Sequence, residues 1–336
     1  MKTICEKINE KITGSTLWNF YFGGMKAGVL DIETTGLNPE RNKFILGCIT
    51  DDREGQLYQM LAENQMEEGE ALDEYMNKVS ELDVVVTYNG RHFDIPFIEK
   101  RLKKYGYDDV YMPYNLDVYL AVNGYSPIRK LVPNLKQKTL ENYMGFWMNR
   151  EDEISGAESV ELYNMYEKTG DGQLERKILL HNNDDVRQLT RLTEVLRKCD
   201  FHRAMYGLGF PVNPGNPEAS LMNVQKIRLY ADCIIASGRQ LVRKDRKPVE
   251  YRSFPFGEMS AETEFCSADK SFRIRVPVMR RNGIAAADIR ALEGLDEEKF
   301  MKYPLCEEGF IVVEDKSGLK YREINHLVKE VIRSAV

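Results

Sequence analysis

The sequence predicts an α/β fold: a mixed sheet flanked by helices, followed by a smaller, mainly β domain. Three observations carry this. Residues 28–61 hold three short strand-like runs joined by tight turns. From residue 67 to about 200, helical and strand patterns alternate. Beyond a Pro- and Gly-rich stretch at 207–220, the pattern returns to short alternating strands.

Each element follows from its residues. Residues 1–26 give no clear period, but Leu17, Trp18, Phe20, Tyr21 and Phe22 form an aromatic cluster expected to pack on a domain edge. Strands are expected over 28–33, 44–49 and 56–61, with turns at Pro39 and Asn42 and at Asp51, Asp52 and Gly55. Ala71, Tyr75 and Val79 stand four apart and set a helix over 67–80. Residues 82–87 read as a buried strand, 94–104 as a helix and 115–118 as a short strand. Helices follow over 134–144, 159–168 and 172–198. The order βββ-α-β-α-β-α, with a parallel half, is the layout of the ribonuclease-H-like fold.

A chain of 336 residues is long enough for two domains, here 16–200 and 221–336 with a boundary loop over 201–220. With 43% hydrophobic and 30% charged residues it reads as soluble, and no apolar run is long enough to span a membrane, so a membrane partner is not expected. Six cysteines without a Cys-x-x-Cys pair argue against a zinc ribbon or disulfide scaffold and fit a reducing cytoplasm. The net charge is −6. The acidity lies in residues 1–200, with 25 Lys+Arg against 34 Asp+Glu, while residues 201–336 hold 22 against 19.

The chemistry starts at Asp31 and Glu33. One residue apart on a strand, they share a face, while Leu30 and Ile32 point the other way. Two adjacent carboxylates repel, and a divalent cation such as Mg2+ or Mn2+ removes the repulsion. Asp94 stands where a helix begins, just after the apolar strand and the Asn89-Gly90 turn. It fits an N-cap there, and equally a ligand at the end of a central strand. In the long C-terminal helix of this domain, Asp185 shares its face with Leu189 and Leu192 and points to the sheet. Asp184 falls with Arg187, Gln188 and Arg191, and is expected to be solvated and paired with Arg187 or Arg191. His181 lies one turn before Asp185.

These stretches resemble a known family. Asp-x-Glu-Thr-Thr-Gly at 31–36, Asn-Gly-x-x-Phe-Asp-x-Pro-Phe at 89–97 and His-x-x-x-Asp at 181–185 look like the three motifs of the DEDD (DnaQ-like) 3′→5′ exonuclease superfamily. Leu140-Glu141, Met144-Gly145, Arg150 with Ile154-Ser155-Gly156, and Asn182 with Asp185-Val186 look like its YprB-like ribonuclease-H-like group. The resemblance covers about residues 16–200.

It implies a metal-dependent exonuclease acting on DNA or RNA, with single-stranded 3′ ends as partner. Asp31, Glu33, Asp94 and Asp185 would be the ligands of two divalent cations, Mg2+ or Mn2+. A Tyr or His before the last Asp orients the attacking water in that superfamily, and the spacing here is that of the Tyr subclass with His181 in its place. His181 is expected to accept a proton from water, its ordinary pKa being about 6.5. Thr34 or Thr35 and Asn89 are expected to contact the 3′ end. Asp117 is read as structural. Two alternatives stay open: an endonuclease of the same fold, and a nucleic-acid-binding module with weak or lost turnover.

In the C-terminal part, strands are expected over 224–230, 233–237, 249–254, 272–278 and 310–313, and a closing helix over 323–332. Arg273 and Arg275 share a strand face. With Arg243, Lys244, Arg246 and Lys247 they read as a solvated face and charged turn, or alternatively as a track for a phosphate backbone.

Overall fold

A computed structural model describes residues 1–336 except 153, 251–260, 293, 305 and 308. The chain divides into two units, Met1–Cys199 and Asp200–Val336.

The N-terminal unit begins with strand β1 (Lys2–Lys7) and helix α1 (Thr16–Phe22). Next come β2 (Ala27–Thr34), β3 (Phe44–Asp51), β4 (Gln56–Leu61), α2 (Glu68–Val79), β5 (Val84–Thr87), α3 (Asp94–Lys104) and β6 (Tyr114–Asp117). Helices α4 (Val118–Tyr125), α5 (Gln137–Met144), α6 (Gly156–Thr169) and α7 (Gly172–Leu192) complete it. The sheet order is β1-β4-β3-β2-β5-β6. Strands β1 to β4 pair antiparallel, and β2–β5 and β5–β6 pair parallel. This is the expected mixed sheet, extended by an edge strand and two helices, α1 and α4, that the sequence pattern does not announce. The aromatic cluster of α1 packs on the far edge, where the Phe22 ring lies 5.9 Å from that of Tyr114 in β6.

The two sheet faces are covered differently. Leu30 and Ile32 of β2 join Ala71, Leu72, Tyr75, Met76 and Val79 of α2 and Phe97, Ile98 and Leu102 of α3 in one core. On the other face, Ile45, Leu46 and Leu61 pack with Tyr163 and Tyr166 of α6 and Ile178 of α7. Gly47 is needed under α2, because a Cβ there would lie 2.6 Å from the Tyr75 ring. A buried ion pair ties the first layer together. The Arg101 fork donates to Glu68 at 2.6 and 2.5 Å, and Glu68 also accepts the Phe44 N–H at 2.8 Å.

In the C-terminal unit, helix α8 (Phe201–Leu208) and strand β7 (Phe210–Val212) occupy part of the expected boundary loop. The Asp200 side chain caps α8 by accepting the Arg203 N–H, and Phe201, Ala204 and Met205 are buried. Pro211 is tolerated because β7 is an edge strand, where a missing N–H costs little. Strands β8 (Leu221–Leu229), β9 (Cys233–Leu241), β10 (Glu262–Phe265) and β11 (Ser271–Pro277) complete the sheet β10-β11-β9-β8-β7. A second sheet holds β12 (Met279–Arg281), β13 (Ile284–Asp288), β14 (Cys306–Glu307), β15 (Phe310–Asp315) and β16 (Gly318–Leu319). Helix α9 (Tyr321–Ala335) closes the unit, burying Ile324, Leu327, Val328, Val331 and Ile332. The strand expected over 249–254 lies mostly outside the described residues, and residues 249 and 250 are not in a strand. Among the described residues no helix is long and apolar enough to cross a membrane.

Candidate active site

Strand alternation sends Asp31 and Glu33 to the sheet face opposite Leu30 and Ile32, towards α7. Asn182 of α7 donates its Nδ2 hydrogen to Asp31 Oδ2 at 2.8 Å. Asp94 joins from α3. Its approach depends on the turn after β5, where Asn89 adopts φ 64° in the left-handed region and a Cβ on Gly90 would lie 2.4 Å from Thr87 Oγ1. Asp94 does not cap its helix: Phe93 holds the N-cap position, and Asp94 is the first helical residue.

The carboxylates feel one another. Burial, then Asp94, Asp185 and Glu33, push the Asp31 carboxyl well above its usual range, against the Asn182 hydrogen bond. Glu33 is pushed up to about 7 by burial, aided by Asp185 and Asp94 and opposed by His181. Asp94 also rises to about 7, chiefly by burial, although its own N–H and that of Ile32 pull it down. Acids forced this close in a buried place favour a cation among them.

His181 Nε2 lies 3.6 Å from Glu33 Oε1 and 3.7 Å from Asp185 Oδ2, and Nδ1 lies 2.8 Å from Asp152 Oδ2. Burial lowers the imidazole pKa, but the bond to Asp152 and the carboxylates of Asp185 and Glu33 outweigh it and raise it. One ligand atom each of Glu33, His181 and Asp185 lie within 4.8 Å of one another, a spacing that fits a metal ion. Glu33, His181 and Asp185 therefore meet beside β2, with Asp31 bonded to Asn182 of the same helix and Asp94 close enough to act on Asp31.

Thr34, Thr35, Asn89 and Asp117 make local hydrogen bonds. The Thr34 hydroxyl donates to the Gly36 carbonyl at 2.8 Å, and Thr35 Oγ1 accepts the Lys43 N–H at 2.9 Å, so both hydroxyls shape the loop after β2. Asn89 Oδ1 lies 3.1 Å from His92 Nδ1. Asp117 is structural, accepting the N–H groups of Asn89, Arg91 and Leu120.

Asp184 corrects the expectation of a solvated acid. It is 5% exposed and accepts the backbone N–H groups of Glu151 and Asp152 at 2.6 and 2.7 Å. Arg187 and Arg191 pair instead with Glu10. The segment after α5 covers the Asp184 side of α7 and bonds it through backbone N–H groups, which the polar neighbours in the sequence do not reveal.

That segment holds Arg150, one of the positions that carry the family resemblance, and Asp152, which no sequence pattern singles out. Arg150, almost fully buried, bonds Glu141, Asp152 and Asp185, the last at 2.6 Å from its Nη2. Asp152 also accepts from Lys138. In the C-terminal unit, Arg243 pairs with Asp245, and Arg275 with Asp232 and Glu262, while Arg273 stays exposed.

The model of the RNase H superfamily matches residues 29–197, half of the chain. The chain belongs to that superfamily. A stretch of 119 residues is 29% identical to a DNA polymerase of Methanocaldococcus jannaschii, covering 30% of this chain and 7% of that protein. Among solved structures, the family B DNA polymerase of Pyrobaculum calidifontis is similar at 17% identity and a TM-score of 0.43, over 63% of this chain and 34% of that one. NrnC of Brucella melitensis is similar at 15% identity and a TM-score of 0.27, over 57% and 90%. This superfamily member thus spans a small part of its curated polymerase relative. Its acids lie on β2, α3 and α7, all within the matched residues.

Proposed function

We propose that the protein is a metal-dependent 3′→5′ exonuclease of the YprB-like group within the DEDD superfamily, with residues 221–336 as an accessory domain. The observation that carries this reading is the gathering of Glu33, His181 and Asp185 within 4.8 Å of one another, with Asp31 bonded to Asn182 of the same helix. The sequence relative is a DNA polymerase, which favours nucleic acid as the substrate.

The four carboxylates would hold two divalent cations, Mg2+ or Mn2+, whose oxygen-rich preferences they suit. Bound there, the cations would lower the pKa of water and neutralise charge on a scissile phosphate. The chain's own residues hold the constellation in place. Asn182 fixes one oxygen of Asp31, and Arg150 holds Oδ1 of Asp185 so that Oδ2 faces His181 and Glu33. His181 Nε2 faces the same space, where an imidazole nitrogen can take a proton from water or bind a cation. Thr34 or Thr35 and Asn89 would contact the 3′ end of the substrate.

Incubation of labelled single-stranded DNA and RNA with increasing Mg2+ or Mn2+ tests the reading. Cation-dependent shortening of either substrate by the wild type, and none by Asp31→Asn, is the expected result. Cleavage that persists in chelator, or that Asp31→Asn retains, overturns it.

A further inference from the structure

His181 is 3% exposed, and its two nitrogens see different surroundings. Nδ1 lies 2.8 Å from Asp152 Oδ2, and the same oxygen accepts from Arg150 at 3.1 Å and Lys138 at 3.3 Å. A carboxylate surrounded by cationic donors remains an acceptor. In the neutral imidazole Nδ1 therefore carries the proton and Nε2 the lone pair. That lone pair is aimed at the acids: Nε2 is 3.6 Å from Glu33 and 3.7 Å from Asp185, and among the described residues it makes no hydrogen bond.

The spacing decides what Nε2 does there. Atoms bonded to one cation at about 2.0–2.2 Å sit roughly 3–3.5 Å apart when they are neighbouring ligands. Nε2 stands 3.6 Å from Glu33 Oε1 and 3.7 Å from Asp185 Oδ2, a few tenths of an ångström beyond that spacing, and one ligand atom of each of the three residues lies within 4.8 Å of the others. A histidine that only takes a proton needs a water between itself and the cation. An imidazole whose other nitrogen is held by a carboxylate is also the common arrangement of metal-bound histidine.

We propose that His181 Nε2 is a direct ligand of a divalent cation shared with Glu33 and Asp185, and that Asp152 is the positioning residue that aims it. This rests on the nuclease reading and adds a nitrogen donor to an otherwise carboxylate site. A mixed nitrogen and oxygen set favours Mn2+ over Mg2+.

The test uses the full-length protein with Mn2+ alone, at less than one equivalent, and pulsed EPR. Nitrogen modulation from a coordinated imidazole is expected in the wild type. It should vanish in His181→Gln. In Asp152→Asn it should weaken, with Mn2+ affinity falling roughly 10–100-fold. Circular dichroism checks that each variant folds, and if His181→Gln does not, Asp152→Asn carries the comparison. Bound Mn2+ without nitrogen modulation in the wild type overturns this inference alone, as does an Asp152→Asn spectrum and affinity equal to wild type. Failure of the wild type to bind Mn2+ overturns this inference and the nuclease reading together.

Discussion

Asp184 accepts the backbone N–H of Asp152 at 2.7 Å, so one aspartate of α7 anchors the segment that brings a second aspartate to His181. Its neighbour Asp185 faces Glu33 and His181 instead. Two adjacent acids thus serve separate ends, one holding a loop and the other facing the proposed cations.

Variants at this pair should separate stability from activity. Asp184→Ala leaves the buried Asp152 N–H without its acceptor, at about 1–3 kcal/mol, and frees the part-buried Glu151 N–H as well. It should lower the denaturation midpoint and, by loosening the segment, weaken Mn2+ binding. Asp185→Asn should keep a near-wild-type midpoint and abolish cleavage. Urea unfolding and a cleavage assay on both variants check this. An inactive but fully stable Asp184→Ala would mean that Asp184 itself is the working acid.

Asp31→Asn removes a charge that burial and Asp94, Asp185 and Glu33 all disfavour. Without cations its melting temperature should rise above wild type, and Mn2+ should no longer raise it. Thermal melts with and without Mn2+ read both effects. A lower melting temperature in chelator would show that repulsion at Asp31 is not relieved by neutralising it.

The pH dependence of the metal-free protein has a definite sign. Glu33 and Asp94 are pushed up to about 7 in the folded chain, mainly by burial, against about 4 for ordinary carboxyls. The folded state then retains protons that the unfolded chain releases. This contribution is complete below the ordinary carboxyl range and is lost as pH rises through about 7. The urea midpoint of the N-terminal unit in chelator should therefore fall between pH 5 and pH 8. Glu33→Gln should flatten part of the slope, and Mn2+ should raise the midpoint most at pH 8. A midpoint that climbs with pH in chelator would contradict the raised carboxyl pKa values of Glu33 and Asp94.

Much of this was legible because it depends on short periods. Alternation along β2 sends Leu30 and Ile32 to the α2 layer and Asp31 and Glu33 to the other, and Asp185 of α7 stands with Glu33 and His181. What escaped depends on irregular chain. Asp152 sits between α5 and α6, in a segment without period, and its bond to His181 spans 29 residues. Asp184 looked polar on a helical wheel because its partners are backbone N–H groups, which carry no side-chain signature. Over 201–220, prolines and glycines suggested a loop, although Asp200 starts a helix and Pro211 lies on an edge strand.

The most direct test of the central claim is the pattern of products from 5′-labelled linear and covalently closed circular single strands in Mn2+. The linear strand should give a ladder that shortens from its 3′ end, the circle should stay intact, and Asp31→Asn and Asp185→Asn should give no products. Cleavage of the circle, or the absence of any Mn2+-dependent product from DNA and RNA alike, would contradict it.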